Sequence, residues 1–318
     1  MKKFIYSISR FSLVAFVIFL ALECLSFAFP NEYSYKRNYV EDNGDRIKIL
    51  ILGHSHAGKG INPEAFGDSV FNMAMSGRIH FYDAVLAERY VSRLKNLKCV
   101  IWPLGYSFEY HSYLYPDILL SKEHVNAIEM QQCMYEKYMG ISYEKAIPYL
   151  HCSQLAVYPF GYKMSLLPGN FEKKIGGNRL GYEKIPLSKR SCNWQESMLP
   201  SIIDYSHPEA PKARQEGICN FKRIAAACRK ANVRLVVIST PCNKTYQRRM
   251  TERGKREMLE CVDSMKSVYP DMEYYNFIAD TRFTDEDFFD ASHLCDKGAE
   301  KFSKIIRDTL HYYLPLIE

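Results

Sequence analysis

The hydrophobic positions of this chain fall into one long run and a set of short ones. The long run is N-terminal, from Phe11 to Phe29, broken mainly by Glu23 and preceded by Lys2, Lys3 and Arg10. Its length is close to the ~20 residues that carry a helix across a bilayer. The basic flank predicts a cytoplasmic N-terminus, with the rest of the chain outside. A cleaved signal peptide is the competing reading, because Ser26-Phe27-Ala28 offers small residues for cleavage. The length of the run and Pro30 close behind it favour an uncleaved anchor over residues 1–30. Polar, Tyr-rich residues 31–45 then read as a tether.

Past the tether, β-type runs alternate with helical periodicity. Ile47–Leu52, Ser69–Met73, Cys99–Leu104, Arg234–Ser239 and Met272–Ile278 read as strands. Leu86, Ala87, Tyr90, Val91 and Leu94 share one helical face. So do Ile218, Phe221, Ile224, Ala225 and Cys228, then Met258, Leu259, Val262 and Met265. A last helix carries Phe302, Ile305, Ile306 and Leu310, with Asp296 placed to cap it. Asn62 is placed to cap a short helix that has Pro63 at its first position. The alternation lapses from about residue 110 to 213, too long for a plain loop, and this stretch reads as an insertion folding over the site. The expected fold is three-layer α/β/α, with a mostly parallel sheet and functional residues at the carboxyl ends of its strands. The domain spans 46–318.

Composition changes this picture little. A net charge of +6, with no basic stretch interleaved with aromatics, argues against nucleic acid as a partner. The ten cysteines include no CxxC pair, which argues against structural zinc; in an exported domain they can pair, with a connectivity that spacing does not reveal. Lys173, Lys174, Arg179, Lys184, Lys189 and Arg190 make part of the insertion basic, and Gly176–Gly181 reads as a surface turn. Asn243-Lys244-Thr245 is formally a glycosylation acceptor.

The chemistry is concentrated at two places far apart in sequence. Gly53-His54-Ser55-His56 follows the first strand, and Asp290-Ala291-Ser292-His293 lies near the C-terminus. A serine hydroxyl becomes a nucleophile when a base takes its proton. Asp290 and His293 are spaced so that one turn presents an acid and a base together, the carboxylate holding one ring nitrogen while the other faces Ser55. Donor N–H groups must then hold the developing oxyanion.

These blocks resemble the SGNH (GDSL-like) esterase and acyltransferase superfamily, in particular its membrane-anchored relatives that handle acyl groups on envelope polymers. Gly53-His54-Ser55-His56 stands for the first block, Asn72-Met73-Ala74-Met75-Ser76-Gly77 for the second, and Asp290-Ala291-Ser292-His293 followed by Gly298-Ala299 for the last. The resemblance implies Ser55, Asp290 and His293 as the catalytic set. It implies an oxyanion hole from Ser55 and Gly77, with Ser107 at the place of the family's Asn in Leu104-Gly105-Tyr106-Ser107. His54 stands where the family has Asp; His54, His56 and Asn72 become candidate substrate-binding residues, with bonding to its own loop backbone the other reading of Asn72. The implied activity is hydrolysis or transfer of an acyl group, acetyl above all, on an envelope or exported carbohydrate. No metal or organic cofactor is required, and a transferase would draw on a membrane acyl-donor protein.

Three rival readings use the same residues. Gly53–Gly60 nearly spells a phosphate-binding loop, but Gly60 replaces the hydroxyl residue and Asn62-Pro63 interrupts the helix. His54, His56, Asp290 and His293 form an acceptable metal-ligand set, which leaves Ser55 and Gly77 unexplained. A degenerate member that only binds a glycan or partner is the third.

Overall fold

The computed structural model describes residues 2–27, 31–112, 114, 115, 118, 131–143, 175 and 177–310. The N-terminal run forms one helix, α1 (Lys2–Phe27), long and apolar enough to be a membrane anchor or a signal sequence. Its one deeply buried described residue is Glu23, 3.9 Å from Lys137, so the interruption in the apolar run is where the helix meets the domain.

Residues 31–45 are not a tether. Asn31 caps α2 (Glu32–Asn43) through a reciprocal capping box with Ser34. Tyr33, Lys36 and Val40 of this helix are buried, and Tyr39 stacks on Phe71 with ring centroids 4.1 Å apart. The fully buried Lys36 ammonium donates to the Ala74 carbonyl and pairs with Glu32 at 2.8 Å. Its polar composition hid a helix that buries aromatic rings and one paired lysine.

Then come β1 (Ile49–Ile51), α3 (Ser55–Gly60), β2 (Val70–Asn72), α4 (His80–Tyr90) and β3 (Cys99–Pro103). After the part of the expected insertion that lies outside the described residues come α5 (Ala210–Lys230), β4 (Arg234–Ser239) and α6 (Lys244–Arg249). α7 (Glu252–Val268), β5 (Glu273–Asn276) and α8 (Asp296–Thr309) follow. The five strands are all parallel, in the order β2-β1-β3-β4-β5, which is the flavodoxin-like doubly wound order. Side chains alternate across the sheet. Leu50, Phe71, Val100, Trp102, Leu235 and Val237 pack toward α4, α5 and α7. Ile49, Ile51, Val70, Ile101, Val236 and Ile238 pack toward α3 and α8. Both faces are covered, so the inner strands read as continuous apolar runs rather than as alternating ones.

The expected strands and helices are present, with four local corrections. Leu259 is 42% exposed; Cys261 takes its place on the buried face of α7. The N-cap of α8 is Cys295, and Asp296 sits inside the first turn, accepting from Leu187 N at 3.1 Å. The turn ending at Gly181 is not a free surface turn. Leu180 O accepts from Asn72 N at 2.9 Å, and a Cβ at Gly181 would lie 2.0 Å from Asn72 O. Asn243 is buried, caps α6 and donates to Asp285 at 2.9 Å, so its amide is not open to a glycan.

Candidate active site

Ser55 is the first residue of α3, immediately beyond the carboxyl end of β1. The sharp turn into that helix depends on Gly53, whose φ is +110°, and a Cβ there would lie 2.2 Å from the Pro103 ring. The loop after β5 brings the other pair to the same edge. Ser55 Oγ lies 2.8 Å from His293 Nε2, and His293 Nδ1 lies 2.8 Å from Asp290 Oδ2 and 3.0 Å from Oδ1. Serine, imidazole and carboxylate thus form one continuous hydrogen-bonded line joining residues 238 positions apart.

The acid–base corner is built locally. Asp290 Oδ1 accepts the backbone N–H of His293 at 2.8 Å and of Ser292 at 2.9 Å. Burial alone would raise the Asp290 pKa, but its hydrogen bond and attraction to His293 and these two N–H groups outweigh it and hold the carboxyl below its ordinary value. An ionised Asp290 fixes the His293 tautomer, with the proton on Nδ1 and Nε2 free to accept from Ser55.

Four further residues raised by the sequence lie around this line in different ways. His54 caps α3, its Nδ1 accepting from His56 N at 3.4 Å. The His54 and His56 rings are 4.7 Å apart, and His56 stands edge-on to His293 at 5.0 Å. Burial, reinforced for His54 by His56, His80 and His111 and for His56 by His293 and Lys59, keeps both imidazoles well below the usual histidine range. They line the cleft as neutral rings. Gly77 closes the loop after β2 with φ +74° and is exposed. Ser107 is buried in a left-handed conformation, φ 62°, with its Oγ 3.4 Å from His111 Nε2.

Asn72 is a correction. Its side chain is fully buried; its amide donates to Ala57 O at 2.9 Å and Ile61 O at 2.8 Å, and its oxygen accepts from Ala74 N at 3.0 Å. Every polar atom is spent on backbone, so Asn72 holds α3 to the Gly77 loop instead of facing a substrate.

Sequence reading missed the group beneath this loop. Asp83, fully buried on α4, accepts from Gly53 N at 2.9 Å, Arg78 Nη1 at 3.1 Å and Trp102 Nε1 at 3.0 Å. His80 Nδ1 is 3.8 Å away. Burial opposes its ionisation, but His80, Arg78 and Trp102 together hold the carboxyl below its ordinary value. Arg78 follows Gly77 directly and donates from Nε to Tyr135 Oη at 2.5 Å. Asp83 therefore ties the loop before Ser55 to the loop of Gly77. A usable signal was present: Trp102 in a central strand needs a buried acceptor for its indole N–H.

Among the described residues no group of three or more His, Cys, Asp or Glu is arranged to hold a metal ion. The His54 ring stands edge-on to those of His56 and His80, and the His56 ring edge-on to that of His293.

No family model matches this chain, and no curated protein does. Solved structures do. One, from Streptococcus pneumonia, is described provisionally as a platelet activating factor; it matches at 13% identity with a TM-score of 0.43, over 88% of this chain and 92% of that one. Another, from Bacteroides fragilis, is described provisionally as an acylhydrolase; it matches at 7% identity with a TM-score of 0.42, over 87% of this chain and 96% of that one. Likeness this distant carries no argument about chemistry, which rests on the hydrogen-bonded line at the sheet edge.

Proposed function

We propose that this chain is a serine-dependent esterase or O-acyltransferase, and that the continuous Ser55–His293–Asp290 line carries its chemistry. Ser55 Oγ attacks the ester carbonyl while its proton passes to His293 Nε2. The backbone N–H groups of Ser55 and Gly77 hold the oxyanion. The C–O bond breaks, His293 returns the proton to the departing alcohol, and the acyl group stays on Ser55. A water or an acceptor hydroxyl then gives its proton to His293 and takes the acyl group, and His293 reprotonates Ser55. No step calls for a metal or an organic cofactor.

The substrate is an acylated, above all acetylated, carbohydrate of the envelope or of an exported polymer; a transferase would take its acyl group from a membrane donor protein. The domain lies outside the cytoplasm, held to the inner membrane by α1. The basic residues before the apolar run support that orientation. So does Cys133, which is disulfide-bonded, as expected of an oxidising compartment. The test is to treat full-length protein in detergent with a fluorophosphonate and measure intact mass. A single adduct, absent from Ser55→Ala and His293→Ala, is the expected result. A folded wild-type protein that takes no adduct overturns the esterase reading.

A further inference from the structure

We infer that His54 supplies the side-chain donor of the oxyanion hole, in place of Ser107. The inference rests on the serine-esterase reading and completes its donor set. A tetrahedral oxyanion has three lone-pair directions, and preorganised donors aimed at it are worth much in rate. Two backbone N–H groups leave one direction for a side chain.

Ser107 is poorly placed to fill it. Its hydroxyl is buried and within reach of His111 Nε2, and its left-handed backbone is fixed at the start of a 3₁₀ turn (Phe108–Tyr110). His54 has the opposite properties. It directly precedes the nucleophile and is partly exposed to the cleft. Its Nδ1 accepts the His56 N–H, so in the neutral ring the proton sits on Nε2. Burial and three neighbouring histidines keep it neutral. Among the described residues Nε2 has no hydrogen-bond partner, so an N–H donor is left unspent on the residue that precedes Ser55 in the chain. That nitrogen faces Gly105, lying 3.5 Å from where a Cβ there would sit. One bond of the ring fixes the tautomer and its other nitrogen is left to the reaction.

The measurement is steady-state hydrolysis of p-nitrophenyl acetate, with the rate constant of fluorophosphonate labelling alongside, on full-length protein in detergent. His54→Ala is expected to lower kcat and the labelling rate ~10²–10³-fold with little change in KM. His54→Asn separates donor from cap: asparagine still caps a helix, but its amide stops short of the Nε2 position. It is expected to be as slow as His54→Ala at wild-type melting temperature. Ser107→Ala is expected to cost at least tenfold less than either. Wild-type rates in His54→Asn, or a Ser107→Ala loss as large as that of His54→Ala, overturn the inference while leaving the catalytic serine in place. A folded wild-type protein that neither hydrolyses nor labels overturns the esterase reading itself, and this inference with it.

Discussion

Two buried aspartates sit near Ser55, and their surroundings differ in kind. Asp290 takes its partners from its own turn: the side chain of His293, the Ser292 hydroxyl, and the N–H groups of Ser292 and His293. Asp83 takes its partners from three separate segments: Gly53 after β1, Arg78 and His80 around the start of α4, and Trp102 on β3. The first pairs with a group that can gain and lose a proton, so it suits chemistry. The second pairs with a permanently charged guanidinium at zero exposure, so it suits fixing distances. In the proposed reaction one carboxylate orients the base, and the other holds together the loops that carry Ser55 and Gly77.

That contrast can be broken experimentally, starting with the reacting group. Ser55→Ala should cost ~10⁵–10⁶ in kcat with an unchanged melting curve; residual turnover above a hundredth of wild type would place the nucleophile elsewhere. Asp290→Asn should cost ~10⁴ in kcat, again with little change in stability, because it inverts the imidazole tautomer without emptying space. Asp83→Asn should show the reverse pattern, with Arg78 left as an uncompensated buried charge. We expect a loss of about 3–5 kcal/mol in denaturant-monitored stability, and stability within ~1 kcal/mol of wild type would mean that the knot is not structural. If Asp290→Asn proved the more destabilising of the two, the division of labour would be wrong.

The smallest effect is in pH. His54 and His56 have folded pKa values depressed by burial, so below about pH 6.5 the unfolded chain takes up protons that the folded one refuses. Stability should therefore be full above that value and fall as pH drops toward the folded pKa values. Melting temperature measured from pH 8 to pH 5 should show this fall, and His56→Asn should flatten it. A profile that does not change in the variant would mean that His56 is no less basic when folded.

How much was legible follows from the range of the contacts. The strands at Arg234–Ser239 and Cys99–Pro103 stand out because both their faces are buried, and Asp290 and His293 because they stand three positions apart. Helix α2 was missed because its buried surface is tyrosine, one paired lysine and a single valine, which composition reads as polar. Asn72 was misassigned because an asparagine serving backbone and one facing a ligand look alike until their partners are known.

The sequence by itself determined the parallel α/β alternation, the apolar N-terminal helix, and the serine and Asp–His candidates. Each of these depends on periodicity, run length or spacing within a few residues. Only the tertiary structure decided that Ser55 and His293 meet, that Asp83 joins the loop before Ser55 to the loop of Gly77, and that His54 Nε2 has no hydrogen-bond partner among the described residues. Those outcomes depend on which segments the sheet order brings to one edge, and on which polar atoms are already satisfied there; neither is a property of any local stretch of chain.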